Sequence, residues 1–157
     1  IMKDINDEKY LNKVRELKPD LIINSNSLIL DREIIKIPKF GCLNRHTSLL
    51  PSYRGLWPVI HVISNNEKKT GVTIHKINTK LDGGEIYAQR EIDISHNKNV
   101  SAIYNSAFSI SSDLTVKAID NLLNNKKPLN SFYQDSYFTF PNKEQWTNFR
   151  KNGGRLV

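Results

Sequence analysis

Two polar side chains, Asn44 and His46, stand two residues apart after a short apolar run. The run, Phe40 to Leu43, is typical of a strand that enters a hydrophobic core. Residues i and i+2 of an extended segment point to the same face, so an amide that can donate a hydrogen bond would lie beside an imidazole that can carry a proton. Ligands bind at strand ends in open α/β sheets, which makes this pair a candidate site.

A carboxylate, Asp82, follows Asn44 at a distance of 82 − 44 = 38 residues and precedes two glycines. An amide, an imidazole and a carboxylate together can form an acyl-transfer site. The attacking group could belong to the substrate, so no serine nucleophile is required. From the residues alone two alternatives stay open, because His46 could be a satisfied loop histidine and Asp82 an ordinary turn former.

Helical and extended patterns alternate around these residues. Helical spacing of apolar residues predicts a first helix, capped by Asn6 and stopped by Pro19, and a long last one of the core. Short runs rich in β-branched residues predict strands. We expect an α/β sheet with some antiparallel pairing. The predicted elements are helix 6–18, strand 21–23, strand 40–43, helix 56–63, strand 70–77, strand 85–94 and helix 99–124.

Composition places the chain among soluble globular proteins. Its 157 residues are 38% hydrophobic and 25% charged, which predicts one folded domain rather than disorder. We find neither a secretion signal nor the run of about 18 apolar residues that a membrane span needs. The net charge of +7 is scattered in short pairs, which does not favour a nucleic-acid partner. The single Cys42 predicts a buried thiol and a cytoplasmic setting.

Two motifs at this spacing resemble one known family. The stretch Asn44 to Pro51, followed by Arg54-Gly55, is similar to the signature of the folate-dependent formyltransferases, which include methionyl-tRNA, glycinamide ribonucleotide and sugar N-formyltransferases. Leu81 to Ile86 resembles the second motif of that family, and the resemblance runs from about Glu16 to Asn124. It implies the C-terminal part of a Rossmann-like three-layer α/β sheet, with a short aromatic tail.

The resemblance also implies roles for these residues. The cofactor would be 10-formyltetrahydrofolate as formyl donor, with no metal. Asn44 would donate to the formyl oxygen, His46 would assist there and move protons, and Asp82 would orient His46 and accept the amine proton directly or through water. A carboxylate neighbour could hold His46 charged near neutrality. The implied cofactor-binding residues are Ser27, Leu28, Ile29, Leu30, Asn78, Leu81 and Gly83.

Three other histidines and one arginine are weaker candidates. His61, His75 and His96 lack a partner at metal-ligand spacing, so we expect no metal site. Arg45 replaces the small or apolar residue usual in the family. It could reach an anionic group of the folate or the acceptor, or only solvent, and we favour solvent.

By the resemblance, the family domain begins with strands and helices that precede the first helix here, and the chain starts at Ile1 rather than Met. We therefore expect residues 1–124 to be an N-terminally truncated catalytic core, and residues 125–157 an extension packed on it. A missing segment or a homodimer would cover the strand edge at Leu21 to Ile23.

The expected reaction is formyl transfer to a primary amine, with a nucleotide-linked amino sugar as the first choice. Methionyl-tRNA ranks second because no β-rich domain follows residue 124, and an inactive folate-binding remnant is the remaining alternative. We expect no membrane partner, and no nucleic acid except tRNA under the second reading.

Overall fold

Helices and strands alternate along most of the chain in a computed structural model that describes residues 4–25 and 28–157. The helices are α1 Glu8–Leu17, α2 Arg32–Ile35, α3 Pro58–Ser64, α4 Val100–Leu123 and α5 Lys143–Lys151. The strands are β1 Ile22–Asn24, β2 Cys42–His46, β3 Arg54–Gly55, β4 Lys69–Lys76, β5 Ile86–Asp93 and β6 Tyr137–Phe138. The described residues contain no helix long and apolar enough to cross a membrane.

Four strands form the main sheet in the order β1-β2-β4-β5. β1 pairs with β2 in parallel, whereas β2–β4 and β4–β5 are antiparallel. The register places Asn24 opposite Asn44, and Asn44 opposite His75. Three polar residues on three neighbouring strands therefore form one row across the sheet. The mixed α/β architecture agrees with the fold class predicted from the sequence.

Two apolar clusters fill the interior. One packs the sheet against α4, whose buried residues recur at helical spacing as the sequence predicted. The second joins α3, α5 and the first turns of α4, and Phe149 of α5 is only 2% exposed within it. Cys42 is fully buried, and burial raises the pKa of its thiol to about 11. It packs as a small apolar residue, as expected.

Two predicted boundaries were wrong. Helix α1 begins at Glu8, and Asn6 does not cap it. The Asn6 amide instead donates to the carbonyl of Ile29 at 3.0 Å, and its oxygen accepts from the backbone N–H of Asp31 at 2.9 Å. A tertiary contact thus uses the side chain that local sequence rules assigned to the helix. Strand β2 also continues to His46, because β4 supplies hydrogen-bonding partners beyond the apolar run.

The last 30 residues lie against the rest of the chain. Strand β6 pairs in parallel with β3, and a capping box between Asn142 and Gln145 starts α5. The Asn152 amide donates to carbonyls at the end of α3 at 2.9 and 3.0 Å. His61 stacks on Phe138 with ring centroids 4.5 Å apart and donates to a tail carbonyl, so it has a structural role.

Candidate active site

Asp82 reaches the polar row from the loop that joins β4 to β5. Its backbone φ is +49°, a left-handed value that Asp tolerates better than most residues. The loop then passes directly against the end of β4, because a Cβ on Gly84 would lie 1.6 Å from the carbonyl oxygen of Lys76. Only glycine allows that approach, which folds the carboxylate back over the sheet.

The three predicted catalytic residues meet around this carboxylate. Nδ1 of His46 lies 3.6 Å from Oδ2 of Asp82, and Nδ2 of Asn44 lies 3.4 Å from Oδ1. The backbone N–H of Gly55 donates to Oδ2 at 2.9 Å. Because Gly55 belongs to the first motif and Asp82 to the second, this bond joins the two motifs directly. The side chains of His46 and Asp82 are each only 8% exposed.

His75 is a fourth member of the cluster, and the sequence did not predict it there. Its Nε2 lies 3.5 Å from Oδ1 of Asp82 and 3.2 Å from Nδ2 of Asn44. Nδ1 donates to the carbonyl of Lys76 at 3.1 Å, because a carbonyl oxygen can only accept. His75 could have been found from the pairing of β2 with β4. It lies directly opposite Asn44, so both side chains are on the same face of the sheet.

The nitrogen of the Asn44 amide has two hydrogen-bonding neighbours, whereas its oxygen has none among the described residues. Nδ2 faces His75 and Asp82, while Oδ1 is buried and has no hydrogen-bond partner among the described residues. A buried acceptor without a partner costs about 1–3 kcal/mol, so native structures rarely retain one without a reason. A ligand that donates a hydrogen bond at this position would remove the cost.

Asp82 is ionised at all physiological pH values. Burial raises the pKa of this carboxyl, but the neighbouring His75 and His46 rings and the Gly55 N–H lower it more, to about 2. The opposing contributions leave a buried carboxylate that is a weak base. Its local surroundings favour a permanent negative charge over proton uptake.

His46 is neutral near pH 7, which corrects the expectation that Asp82 would hold it charged. Burial lowers the pKa of the imidazole below 6.5, and the attraction of Asp82 only partly offsets that effect. Nε2 must carry the ring proton, because it lies 2.8 Å from the carbonyl oxygen of Tyr53. Nδ1 is then an unprotonated nitrogen that faces a carboxylate.

The described residues of the predicted folate-binding set lie in two segments near the ends of β1 and β4. Asn24 ends β1 and its amide donates to the carbonyl of Leu28 at 3.0 Å, while the loop with Asn78 follows β4 directly. Leu28, Ile29 and Leu81 are 39%, 66% and 40% exposed, which leaves apolar surface for a ring system. The other residues of this set are Leu30 and Gly83, and Ser27 lies outside the described residues.

Arg45 does not point into solvent, contrary to expectation. Its guanidinium lies 4.3 Å from the centre of the Phe108 ring and donates to the Thr47 hydroxyl at 3.1 Å. Burial lowers the pKa of this side chain. In the part of the chain that the structure describes, no three His, Cys, Asp or Glu side chains are grouped so that they could hold a metal ion.

Comparison with solved structures identifies the class of protein that this sheet and cluster define. A sugar N-formyltransferase from Shewanella shares the fold with a TM-score of 0.74 at 22% identity, over 94% of this chain and 65% of that one. The formyltransferase PseJ from Anoxybacillus kamchatkensis, solved with a UDP-linked formamido sugar and tetrahydrofolate, gives 0.68 at 27% identity, over 82% and 68%. The fold is the Rossmann-like fold of formyltransferases.

The chain belongs to the formyl transferase family, whose family model matches residues 2–119. It is 39% identical over 125 residues to the bifunctional polymyxin resistance protein ArnA of Wigglesworthia glossinidia brevipalpis, covering 79% of this chain and 19% of that protein. It is 39% identical over 111 residues to the methionyl-tRNA formyltransferase of a Wolbachia strain, covering 70% and 37%. The chain therefore spans well under half the length of these relatives.

Proposed function

We propose that this protein transfers a formyl group from 10-formyltetrahydrofolate to the primary amine of a nucleotide-linked amino sugar. The observation that carries the proposal is the convergence of Asn44, His46 and Asp82 from two distant motifs. Their buried cluster contains a fixed negative charge, an unprotonated ring nitrogen and an amide. These groups match the needs of acyl transfer to an amine, which must lose a proton while a carbonyl oxygen gains charge.

The residues fit a folate donor. Apolar side chains of Leu28, Ile29 and Leu81 are exposed beside the cluster, and the unpartnered Oδ1 of Asn44 leaves a polar position open. When bound, the folate supplies a formyl group whose carbon exchanges its bond to a folate nitrogen for a bond to the acceptor amine. Asn44 would then stabilise the formyl oxygen through Nδ2, whose contact to Asp82 is long at 3.4 Å.

The position of the ring proton on His46 and the low pKa of Asp82 together indicate which group accepts the amine proton. The Asp82 carboxylate, with its pKa of about 2, is a poor proton acceptor. The free Nδ1 of His46 is the better one, and the imidazolium formed there would be stabilised by Asp82 at 3.6 Å. We therefore assign proton transfer to His46 and charge stabilisation to Asp82, which refines the roles expected from the family resemblance.

Residues 1–124 would supply this chemistry, and residues 125–157 would brace it. Arg54 connects the two parts, because it pairs with Asp135 of the tail at 2.7 Å and donates to the carbonyl of Leu81 at 3.0 Å. The tail therefore restrains the loop that carries Asp82. This arrangement supports a functional extension rather than an unrelated appendage.

Two observations favour an amino-sugar acceptor. The fold shared with the Shewanella sugar N-formyltransferase covers 94% of the chain and so extends past residue 119 into the tail. PseJ and an N-formyltransferase from Helicobacter canadensis, 28% identical with a TM-score of 0.56, were both solved with nucleotide-linked sugars. The methionyl-tRNA formyltransferases, which match at up to 39% identity, support tRNA as the second candidate acceptor.

The test is an acceptor panel with the purified protein and 10-formyltetrahydrofolate. UDP- and dTDP-linked amino sugars and methionyl-tRNA would be compared by release of tetrahydrofolate and by mass spectrometry of the formylated product. We expect turnover with at least one sugar and none with tRNA. Formylation of methionyl-tRNA alone would overturn the acceptor assignment, and failure with every amine would overturn the proposed function.

A further inference from the structure

A cavity of about 450 Å³ lies away from Asp82, at the opposite end of β4. Thr70, near the start of that strand, lines the cavity, whereas His75 near its end contacts Asp82. Five residues of an extended strand span about 17 Å, so the cavity is separate from the site described above. Its volume falls in the range of small-molecule pockets, about 300–1,000 Å³.

The interior of this cavity combines apolar walls with one unsatisfied hydroxyl. Leu49 and Val62 are among the buried apolar residues that line it, and Tyr53 and Tyr133 contribute aromatic rings. Thr70 is only 1% exposed, and its Oγ1 has no hydrogen-bond partner among the described residues. A buried hydroxyl of this kind can both donate to and accept from a ligand.

The charges around the cavity leave one cation free to bind an anion. Lys69 is paired with Glu91 at 2.7 Å. Glu67 accepts a hydrogen bond from the Tyr53 hydroxyl at 2.9 Å, and the charge of its carboxylate is opposed by Lys98, whose Nζ donates to the Glu67 backbone carbonyl. Lys68 also lines the cavity, and no carboxylate lies within ion-pair distance of it in residues 4–25 and 28–157. The chemistry therefore suits a ligand with a flat apolar ring and a single negative charge.

Tyr53 links this cavity to the reaction centre. Its ring lines the cavity, while its backbone carbonyl accepts the hydrogen bond from Nε2 of His46 at 2.8 Å. Its φ of +59° is a left-handed value that a bulky residue adopts only when its surroundings hold it there. A ligand that moves the ring would therefore also move the carbonyl that fixes the proton on Nε2.

We propose that this cavity is a second binding site, for a small aromatic carboxylate, and that its occupancy is transmitted to His46 through Tyr53. The carboxylate binds Lys68 and accepts from the Thr70 hydroxyl, and the ring packs between Leu49, Val62 and the tyrosines. Such a site would let an aromatic acid alter the hydrogen bond that holds the catalytic imidazole.

The test titrates benzoate into the protein labelled at its histidine rings and backbone amides, observed by NMR. We expect saturable shifts at Thr70 and Tyr53, and a shift of the His46 ring signals that saturates at the same concentration. Lys68→Glu should weaken binding about fivefold or more. Thr70→Val, which keeps the shape but removes the hydroxyl, should weaken it about threefold or more.

Two controls make the result decisive. Lys117→Glu makes the same charge change on an exposed position of α4 and should leave binding unchanged, and benzyl alcohol should bind more weakly than benzoate. No saturable shift up to about 20 mM benzoate, or equal binding by Lys68→Glu, would overturn the site. Saturation without movement of the His46 signals would overturn the transmission. The measurement needs neither folate nor amine, so its failure leaves the proposed reaction untouched.

Discussion

Replacing Asp82 by Asn should destabilise the fold in a pH-dependent way. Asn tolerates the left-handed φ of +49° and its oxygen can still accept from the Gly55 N–H, so the change removes the charge and, at Oδ1, the acceptor that faces the Asn44 amide. The pKa of this carboxyl is about 2 in the folded protein, against 3.8 for an unperturbed side chain. That difference of about 1.8 corresponds to about 2 kcal/mol of folding free energy at neutral pH.

The sign follows from a folded-state pKa that lies below the unfolded one. The contribution is fully present above about pH 4 and is lost as pH falls towards 2, so about 1 kcal/mol should remain at pH 3. Urea unfolding at pH 7.5 and pH 3 measures this directly. Asp82→Asn should lose about 2 kcal/mol at pH 7.5 and about half of that at pH 3.

Asp113→Asn provides the control, because it removes the same charge from an exposed position on α4 and should change stability by less than about 0.5 kcal/mol. If Asp82→Asn were as stable as the wild type at pH 7.5, the carboxylate would not be the favoured buried anion described above. An equal loss at both pH values would show that packing, not charge, causes the effect.

Three further outcomes follow from the same geometry. Burial lowers the pKa of His46, so kcat/KM should rise with pH through a midpoint below 6.5 and then stay level to pH 8. A fall of kcat/KM through that range would show that the imidazolium is the active form. His75→Phe should lower kcat about 10- to 100-fold in the formylation assay while folding is retained, since it removes contacts to Asn44 and the Asp82 carboxylate; unchanged kcat would exclude His75 from the site. Gly55→Ala should lower the melting temperature more than Gly153→Ala, because both have positive φ but only at Gly55 would a Cβ collide, 2.1 Å from the Phe138 carbonyl oxygen; equal losses would leave backbone strain as the whole effect.

Much of the fold could be predicted because the sheet and α4 follow local rules. The apolar stripe on α4 has helical spacing, and β4 is rich in β-branched residues, so both predicted elements are present in the structure. The two motifs also bracket the site, since Asn44, His46 and Asp82 meet as the family resemblance implied.

The rest depends on contacts that sequence periodicity does not contain. His75 entered the site through antiparallel pairing with β2, and no local pattern specifies which residue lies opposite Asn44. The protonation of His46 was mispredicted because its near-complete burial outweighs a single carboxylate neighbour. Arg45 was assigned to solvent, but the ring of Phe108, 63 positions later, provides a cation–π partner that only folding brings near.

We propose that Asn44, His46 and Asp82, with His75 beside them, form the reaction centre of a formyl transfer. Single-turnover transfer from 10-formyltetrahydrofolate to the best amino-sugar acceptor, measured for Asn44→Ala against the wild type, tests it most directly. Removal of the amide should slow the transfer step about 100- to 1,000-fold while circular dichroism and folate binding stay close to wild type. Transfer at the wild-type rate by a folded Asn44→Ala protein would contradict the account.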